Sequence, residues 1–109
     1  MIDKDKIKRE ILLPTRLHYF SARELALTCD AFARAAIHSQ KLFFEIEREI
    51  FSVHKELKYG MKFFEFSVQG LFMLLKGYTS TKCPKTKQHF GSERLFQKIE
   101  DRMLQLFSV

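Results

Sequence analysis

The sequence predicts an all-α protein, a four- to five-helix up-and-down bundle that occupies residues 1–109 as a single helical domain. Two observations predict this class. Apolar residues recur at intervals of three and four over most of the chain, which is the period of a helix with one buried face. Glycine and proline, which interrupt helices, are rare, with four glycines and two prolines in 109 residues. Strand-like alternation is confined to "FFEFSV". An optional short helix before Pro14 would be the fifth.

Two helices are predicted in the N-terminal half, over residues 21–37 and 41–58. Ser21 offers an N-cap, and Glu24 three residues later has the spacing of a capping box. Without an interruption, the helical pattern would continue for longer than a small globular protein normally allows. A break is therefore predicted near residues 38–40. In the second helix the apolar period is carried by Leu42, Ile46, Ile50, Val53 and Leu57.

Two further helices are predicted in the C-terminal half, over residues 61–76 and 92–107. Gly60 follows "HKELKY" and is typical of a helix C-cap with lysines in the last turn. Gly70 lies inside the third helix, where a missing side chain allows close contact with a neighbour. Ser92 is the predicted N-cap of the last helix, whose apolar stripe is Leu95, Ile99, Met103 and Leu106.

Composition predicts partners rather than a reaction. The net charge of +6 and the pI of about 9.5 favour an anionic partner, such as nucleic acid, a nucleotide or an acidic protein. Twelve phenylalanines are many for a chain of this size, which leads us to expect a homodimer or an obligate protein partner. The aromatic residues that do not fit one helical stripe are Phe43, Phe44, Phe51, Phe63, Phe64 and Phe66.

The cysteines and the charged N-terminus predict a cytoplasmic protein with reduced thiols. Cys29 and Cys83 are far apart, and neither belongs to a CxxC pair. The N-terminal "MIDKDKIKRE" lacks the apolar core of a signal peptide, and "VQGLFMLL" is too short to span a bilayer. No membrane association is expected. Because Cys83 and His89 have no second ligand pair nearby, no metal or other cofactor is expected either.

Catalysis is the least favoured function, although the sequence leaves the question open. Arg34 and His38 share one face of the first predicted helix, and Arg48 and His54 lie six positions apart in the second. An arginine and a histidine brought together can promote phosphate chemistry. The simpler interpretation of Arg34 and His38 is a polar pair on the flank of the bundle. Arg48 and His54 do not lie on the same face of a helix. No catalytic residue is assigned.

The stretch from Lys76 to Gly91, "KGYTSTKCPKTKQHFG", is the candidate anion-binding site. It is rich in lysine and leads into the predicted N-terminus at Ser92, where free N–H groups and the helix dipole favour an anion. We expect this loop to become ordered on binding. The alternative, a solvated connection, stays open. The candidate anion- or partner-binding residues are Lys76, Lys82, Lys85, Lys87, His89, Arg94, Lys98 and Arg102.

The stretch "FEFSVQGLFMLLKGYTSTKCPKTKQHFGSERLFQKI" resembles the middle of a HEPN domain, the helical partner of minimal nucleotidyltransferases. Lys76 matches a lysine of the family's pattern, His89 the histidine that opens the next segment, and Leu95 with Phe96 the following apolar pair. The resemblance implies a helical, often dimeric domain associated with nucleotides or toxin–antitoxin systems.

The chain also departs from the HEPN pattern. Gly70 and Leu71 stand where the family usually has Glu-Lys, and the Arg-polar-His motif of the RNase branch is matched by count only at Arg48 and His54, in a different helix. The resemblance therefore implies a non-catalytic helical interaction module that works beside a nucleotidyltransferase or in a toxin–antitoxin pair. The alternative is a small basic regulator that binds nucleic acid.

Overall fold

The computed structural model describes residues 14–53, 55, 57 and 60–108. Within these residues the chain forms five α-helices and one 3₁₀ helix, so the predicted all-α class is confirmed. The α-helices are α1 Pro14–Tyr19, α2 Ala22–Arg34, α3 Gln40–Ile50, α4 Val68–Ser80 and α5 Glu93–Phe107, and the 3₁₀ helix is Lys62–Glu65. The helix expected before Pro14 lies outside the described residues.

The helix N-termini follow local sequence signals. Ser21 caps α2 in a complete capping box, since its hydroxyl accepts from the N–H of Glu24 while the Glu24 carboxylate accepts from the N–H of Ser21. Ser92 caps α5 in the predicted place. The sequence analysis missed α1, which starts at Pro14 because proline suits the first helical position.

The predicted break between α2 and α3 is confirmed, although the residue at its left-handed position is not the usual glycine. The N–H of Ile37 donates to the Phe32 carbonyl and that of Ala36 to the Ala33 carbonyl, which is a Schellman motif. Its left-handed position is held by Ala36 at φ 54°, where glycine is normally found. Ser39 then caps α3 through the N–H of Leu42.

The predicted helix over 41–58 was wrong in its C-terminal half, because α3 ends at Ile50. Both the N–H and the hydroxyl of Ser52 donate to the Glu49 carbonyl, which competes with continued helix formation. Val53 then pairs with Met61 in an isolated antiparallel bridge. Gly60, predicted as a C-cap, instead lies at φ 82° in the segment that returns to this bridge.

The third predicted helix, over 61–76, was wrong in its N-terminal part. A 3₁₀ turn occupies Lys62–Glu65, the next two residues are extended, and α4 starts at Val68. Both Phe63 and Phe66 are buried in this arrangement, although neither lies on the stripe of Met61, Phe64 and Val68 that a continuous helix would turn towards the core. The predicted surplus of aromatic surface is therefore mostly absorbed by the core, and Phe44 is the exposed exception among the six residues.

The core is centred on the packing of α2 against α4, the most extensive helix contact in the fold. Gly77 allows this approach, since a Cβ at that position would lie 3.0 Å from the Cβ of Cys29. Gly70, predicted to permit close helix contact, is instead nearest to Phe66 and Ser67 of its own segment. The α5 helix packs on α4 through Leu95 and Ile99.

A buried ion pair connects the 3₁₀ helix with α1 and α3. The ammonium of Lys62 donates to Glu49 Oε1 at 2.8 Å and to the carbonyl of His18 at 2.9 Å, so that the 3₁₀ helix, α3 and α1 meet at one charge. Both side chains are largely removed from solvent, with exposures of 7% and 13%. Among the described helices, none is long and apolar enough to span a bilayer.

Candidate anion-binding site

The predicted loop forms a short hairpin. Lys82 and His89 form an antiparallel bridge, the N–H of Cys83 donates to the Gln88 carbonyl at 2.9 Å, and that of Lys87 donates back to the Cys83 carbonyl at 2.8 Å. We call residues 82–89 the basic hairpin. The predicted loop began at Lys76, but α4 continues through Ser80, so the loop is shorter than predicted.

Side chains on both sides of the hairpin hold it against the body of the protein. On the α4 side, Thr81 is fully buried and its hydroxyl donates to the Gly77 carbonyl at 2.8 Å. The N–H of Lys82 donates to Nδ1 of His38 at 3.1 Å. On the α5 side, the N–H of Ser92 donates to a carboxylate oxygen of Glu47 at 3.0 Å. The base of the hairpin is therefore held by α4, by the α2–α3 turn, by α3 and by the start of α5.

The hairpin presents uncompensated positive charge. The side chains of Lys82, Lys85, Lys87 and His89 are all exposed, and no described carboxylate lies within ion-pair distance of the three lysines. Lysines without partners repel one another, so an anion that comes close relieves that repulsion. The structure therefore brings together four of the eight candidate residues on one ordered element.

The thiol of Cys83 is part of the same hairpin. Its pKa lies below the usual value, first because the N–H of Thr86 donates to the sulfur, and then because the Thr86 hydroxyl and the N–H of Lys85 do so too. The nearby positive charge of Lys85 acts in the same direction. Burial instead raises the pKa of Cys29 far above its usual value. The two thiols are therefore chemically distinct.

Arg94, Lys98 and Arg102 follow one another at four-residue intervals on α5, with Arg94 and Lys98 exposed and Arg102 half-buried. The guanidinium of Arg94 lies over the ring of Phe51, 4.2 Å from its centroid, and that of Arg102 lies 5.5 Å from the centroid of Phe64. Both arginines therefore cover aromatic rings of the core edge. Lys98 lies between them and is exposed.

Lys76 belongs to a different part of the surface. It lines a groove between α2 and α4 together with Asp30 and Arg34. Arg34 forms an ion pair with the buried carboxylate of Asp30, one helical turn away. The eight candidate residues are thus divided among the hairpin, α5 and this groove.

The two arginine–histidine pairs considered for catalysis also separate. Because α2 ends at Arg34, His38 does not share a helical face with it. Arg34 forms its ion pair with Asp30, and His38 accepts a hydrogen bond from the hairpin. Arg48 lies near Glu45, and His54 is outside the described residues. In the part of the chain that the structure describes, no three side chains of His, Cys, Asp or Glu are grouped as metal ligands.

Sequence reasoning missed two residues that position the site, His38 and Glu47. His38 contacts Lys82 of the hairpin, and Glu47 contacts Ser92 shortly after it, each across more than forty residues of chain. No local pattern in the sequence signals such a contact. Comparisons with family models, with curated proteins and with solved structures find no match for the chain.

Proposed function

We propose that this protein is a non-catalytic helical binding module that holds the phosphate backbone of a nucleic acid through its basic hairpin. The observation that carries the proposal is an ordered hairpin with Lys82, Lys85 and Lys87 exposed and without carboxylate partners among the described residues. The net charge of +6 supports the same class of partner by attracting it over a longer range.

The residue type at the hairpin favours backbone contacts over base recognition. Lysine is a flexible point charge, whereas specific reading of a base edge or a single phosphate group usually employs the planar fork of arginine. The arginines nearest to the hairpin along the chain, Arg94 and Arg102, have their guanidinium groups over aromatic rings. Binding through this hairpin is therefore expected to depend strongly on salt and weakly on sequence.

The polar groups that would be candidates for catalysis are used in structure, which supports a binding role. Nδ1 of His38 accepts a backbone hydrogen bond, and Arg34 neutralises Asp30. The hydroxyl of Tyr78 is buried and donates to the Phe43 carbonyl. None of these groups is left in position to serve as a general base for a substrate at the hairpin.

The test compares two triple variants of equal charge. Lys82→Gln, Lys85→Gln and Lys87→Gln are combined in one protein, and Arg23→Gln, Lys41→Gln and Lys55→Gln, all exposed and on other elements, in the control. Binding to single- and double-stranded oligonucleotides is measured by fluorescence anisotropy at several salt concentrations. The hairpin variant should bind more weakly, and the slope of log K against log salt should become shallower by about 0.7–0.9 for each lysine–phosphate pair that is removed.

The control variant should retain most of the affinity and the original slope. If both variants bind more weakly than the parent and to the same extent, only the net charge matters and the hairpin is not a site. If neither binds differently from the parent, the hairpin is a solvated connection.

A narrower form of the proposal follows from the resemblance to HEPN domains. A HEPN-like module would work beside a nucleotidyltransferase or in a toxin–antitoxin pair, in the cytoplasm, and would bind a nucleotide or a protein partner. An adjacent short reading frame for a nucleotidyltransferase, with co-purification of its product, would support this form. If no such frame is found beside the gene, the broader nucleic-acid-binding function is favoured.

A further inference from the structure

The second half of α5 carries an apolar surface that the body of the protein does not cover. No residue of α5 beyond Ile99 is buried in the described structure, and Leu104 and Phe107 are 61% and 62% exposed. Beside them, α4 and α5 enclose a groove of about 480 Å³. We call this surface the α4–α5 apolar face. It is formed by Leu75, Phe96, Ile99, Met103, Leu104 and Phe107.

We propose that the α4–α5 apolar face binds a second copy of this chain, with the two α5 helices antiparallel across a twofold axis. The distribution of charged residues favours a second copy of this chain over a different occupant. Two molecules with a net charge of +6 repel each other, so their association is least opposed at a surface without cations. The single charged residue that lines this groove among the described ones is Glu100, although the chain has 19 lysines and arginines.

The shape of the face is self-complementary, which a twofold interface requires. Leu104 and Phe107 stand out from the end of α5, while Phe96 and Met103, which are half-buried, border the groove. An antiparallel pairing with its axis near residues 101 and 102 sets Phe107 of each copy against Phe96 of the other. The same register places the projecting Leu104 over Ile99. Each copy thus supplies both the projecting side chains and the groove.

The size of the face suits a dimer of moderate strength. The largest apolar patch that a monomeric protein usually leaves uncovered measures about 300–600 Å², and the exposed Leu104 and Phe107 belong to a patch of this kind. Since about two thirds of a homodimer interface is apolar, the corresponding interface is roughly 600 Å² per copy. This lies at the lower limit for stable complexes, and a dissociation constant in the micromolar range is expected.

The dimer would leave the proposed nucleic-acid site accessible. Phe107 lies nine residues after Lys98, and at about 100° per residue the two side chains leave opposite sides of the helix. Each dimer therefore presents two basic hairpins and two copies of Lys98. The inference does not depend on the proposed function, because self-association is measured without any nucleic acid.

The test is sedimentation velocity from low to high micromolar protein, on the parent chain and two double variants. Leu104→Asp with Phe107→Asp places carboxylates on the face. The control, Leu27→Asp with Phe44→Asp, alters residues that are 46% and 61% exposed on other helices. The parent and the control should form dimers with the same dissociation constant. The α5 variant should associate at least about tenfold more weakly, with an unchanged melting temperature measured on the monomer.

Three results would overturn the inference. A parent chain that stays monomeric at high concentration excludes the dimer and leaves the face for a different protein. A monomeric parent that loses thermal stability in the α5 variant shows instead that another part of the same chain covers the face. If the α5 variant and the control dissociate equally, the interface lies elsewhere.

Discussion

Gly77 on α4 lies directly against Cys29 on α2, where the two main helices of the core come closest. A Cβ at position 77 would meet the Cβ of Cys29 at 3.0 Å, its carbonyl oxygen at 3.2 Å and its carbonyl carbon at 3.3 Å. Two of these atoms belong to the backbone and cannot rotate away. The distance between the helices is therefore set by the missing side chain.

Gly77→Ala is expected to destabilise the protein by about 1–3 kcal/mol, because the helices must separate or deform. The gain in helix propensity, about 1 kcal/mol, acts in the opposite direction. Gly70→Ala is the matched control on the same helix, since its nearest contacts are side-chain atoms of Phe66 and Ser67. Urea unfolding monitored by circular dichroism measures both. Equal stability of the two variants would mean that the close approach is unimportant.

Lys62→Met should destabilise the fold by roughly 3–5 kcal/mol, since the buried carboxylate of Glu49 loses the ammonium that lies 2.8 Å away. The destabilisation should be much smaller when Glu49→Gln is added, because the negative charge is then removed as well. Denaturant unfolding of both single variants and the double variant measures their coupling. Additive effects in this cycle would contradict a direct interaction.

Ala36→Gly is expected to stabilise the protein by about 0.5–1 kcal/mol. Position 36 adopts φ 54°, where alanine is strained and glycine is not. Ala35→Gly serves as the control, because Ala35 has φ −79° and gains nothing from the exchange. Thermal unfolding should show a raised midpoint for the first variant alone. A lowered midpoint would show that the Schellman turn is not formed.

His38→Leu should loosen the basic hairpin at its first residue. The Lys82 N–H then has no acceptor on His38, and its hydrogen exchange should accelerate by about five- to tenfold, as expected for one bond worth about 1 kcal/mol. His38→Asn keeps an acceptor oxygen near the position of Nδ1 and should restore most of the protection. Exchange measured by NMR distinguishes them. Protection of Lys82 that is the same in all three proteins would contradict the contact.

Cys83 should react with iodoacetamide much faster than Cys29, because the lowered pKa of the Cys83 thiol favours its reactive thiolate, whereas burial raises the pKa of Cys29 and shields its sulfur. Its rate should fall as pH decreases through that lowered pKa. Thr86→Val removes a hydroxyl donor and should shift the profile to higher pH, whereas Thr86→Ser should not. Mass spectrometry follows both sites. Faster labelling of Cys29 would disprove the predicted order.

The parts of the fold that the sequence predicts are those with local causes. Ser21 with Glu24 and Ser92 with its following turn determine helix N-termini through contacts three residues away. The 3₁₀ turn at Lys62 depends instead on Glu49 and His18, which are distant in sequence. The end of α3 at Ile50 does have a nearby cause in Ser52, but serine also occurs within helices and is a weak signal. Local periodicity therefore favoured longer helices than the chain forms.

The same distinction applies to the candidate site. The lysines of the hairpin are recognisable in the sequence because they are dense and lack an apolar period. The contact of Arg94 with an aromatic ring was not recognised, because its partner, Phe51, directly follows α3, whose end was itself mispredicted. His38 and Glu47 could not be assigned to the hairpin without the packing that brings the α2–α3 turn and α3 beside it.

The pairing of α2 with α4 has a consequence for how quickly the chain can reach its native state. The 33 residues between Arg34 and Val68 must be closed into a loop before the largest helix contact forms. Chain entropy opposes that closure, and the contacts that reward it come only afterwards. A bundle whose sequential neighbours pack together avoids this delay. This protein should accordingly fold more slowly than helical bundles of its length, with a transition state that already contains the crossing at Gly77.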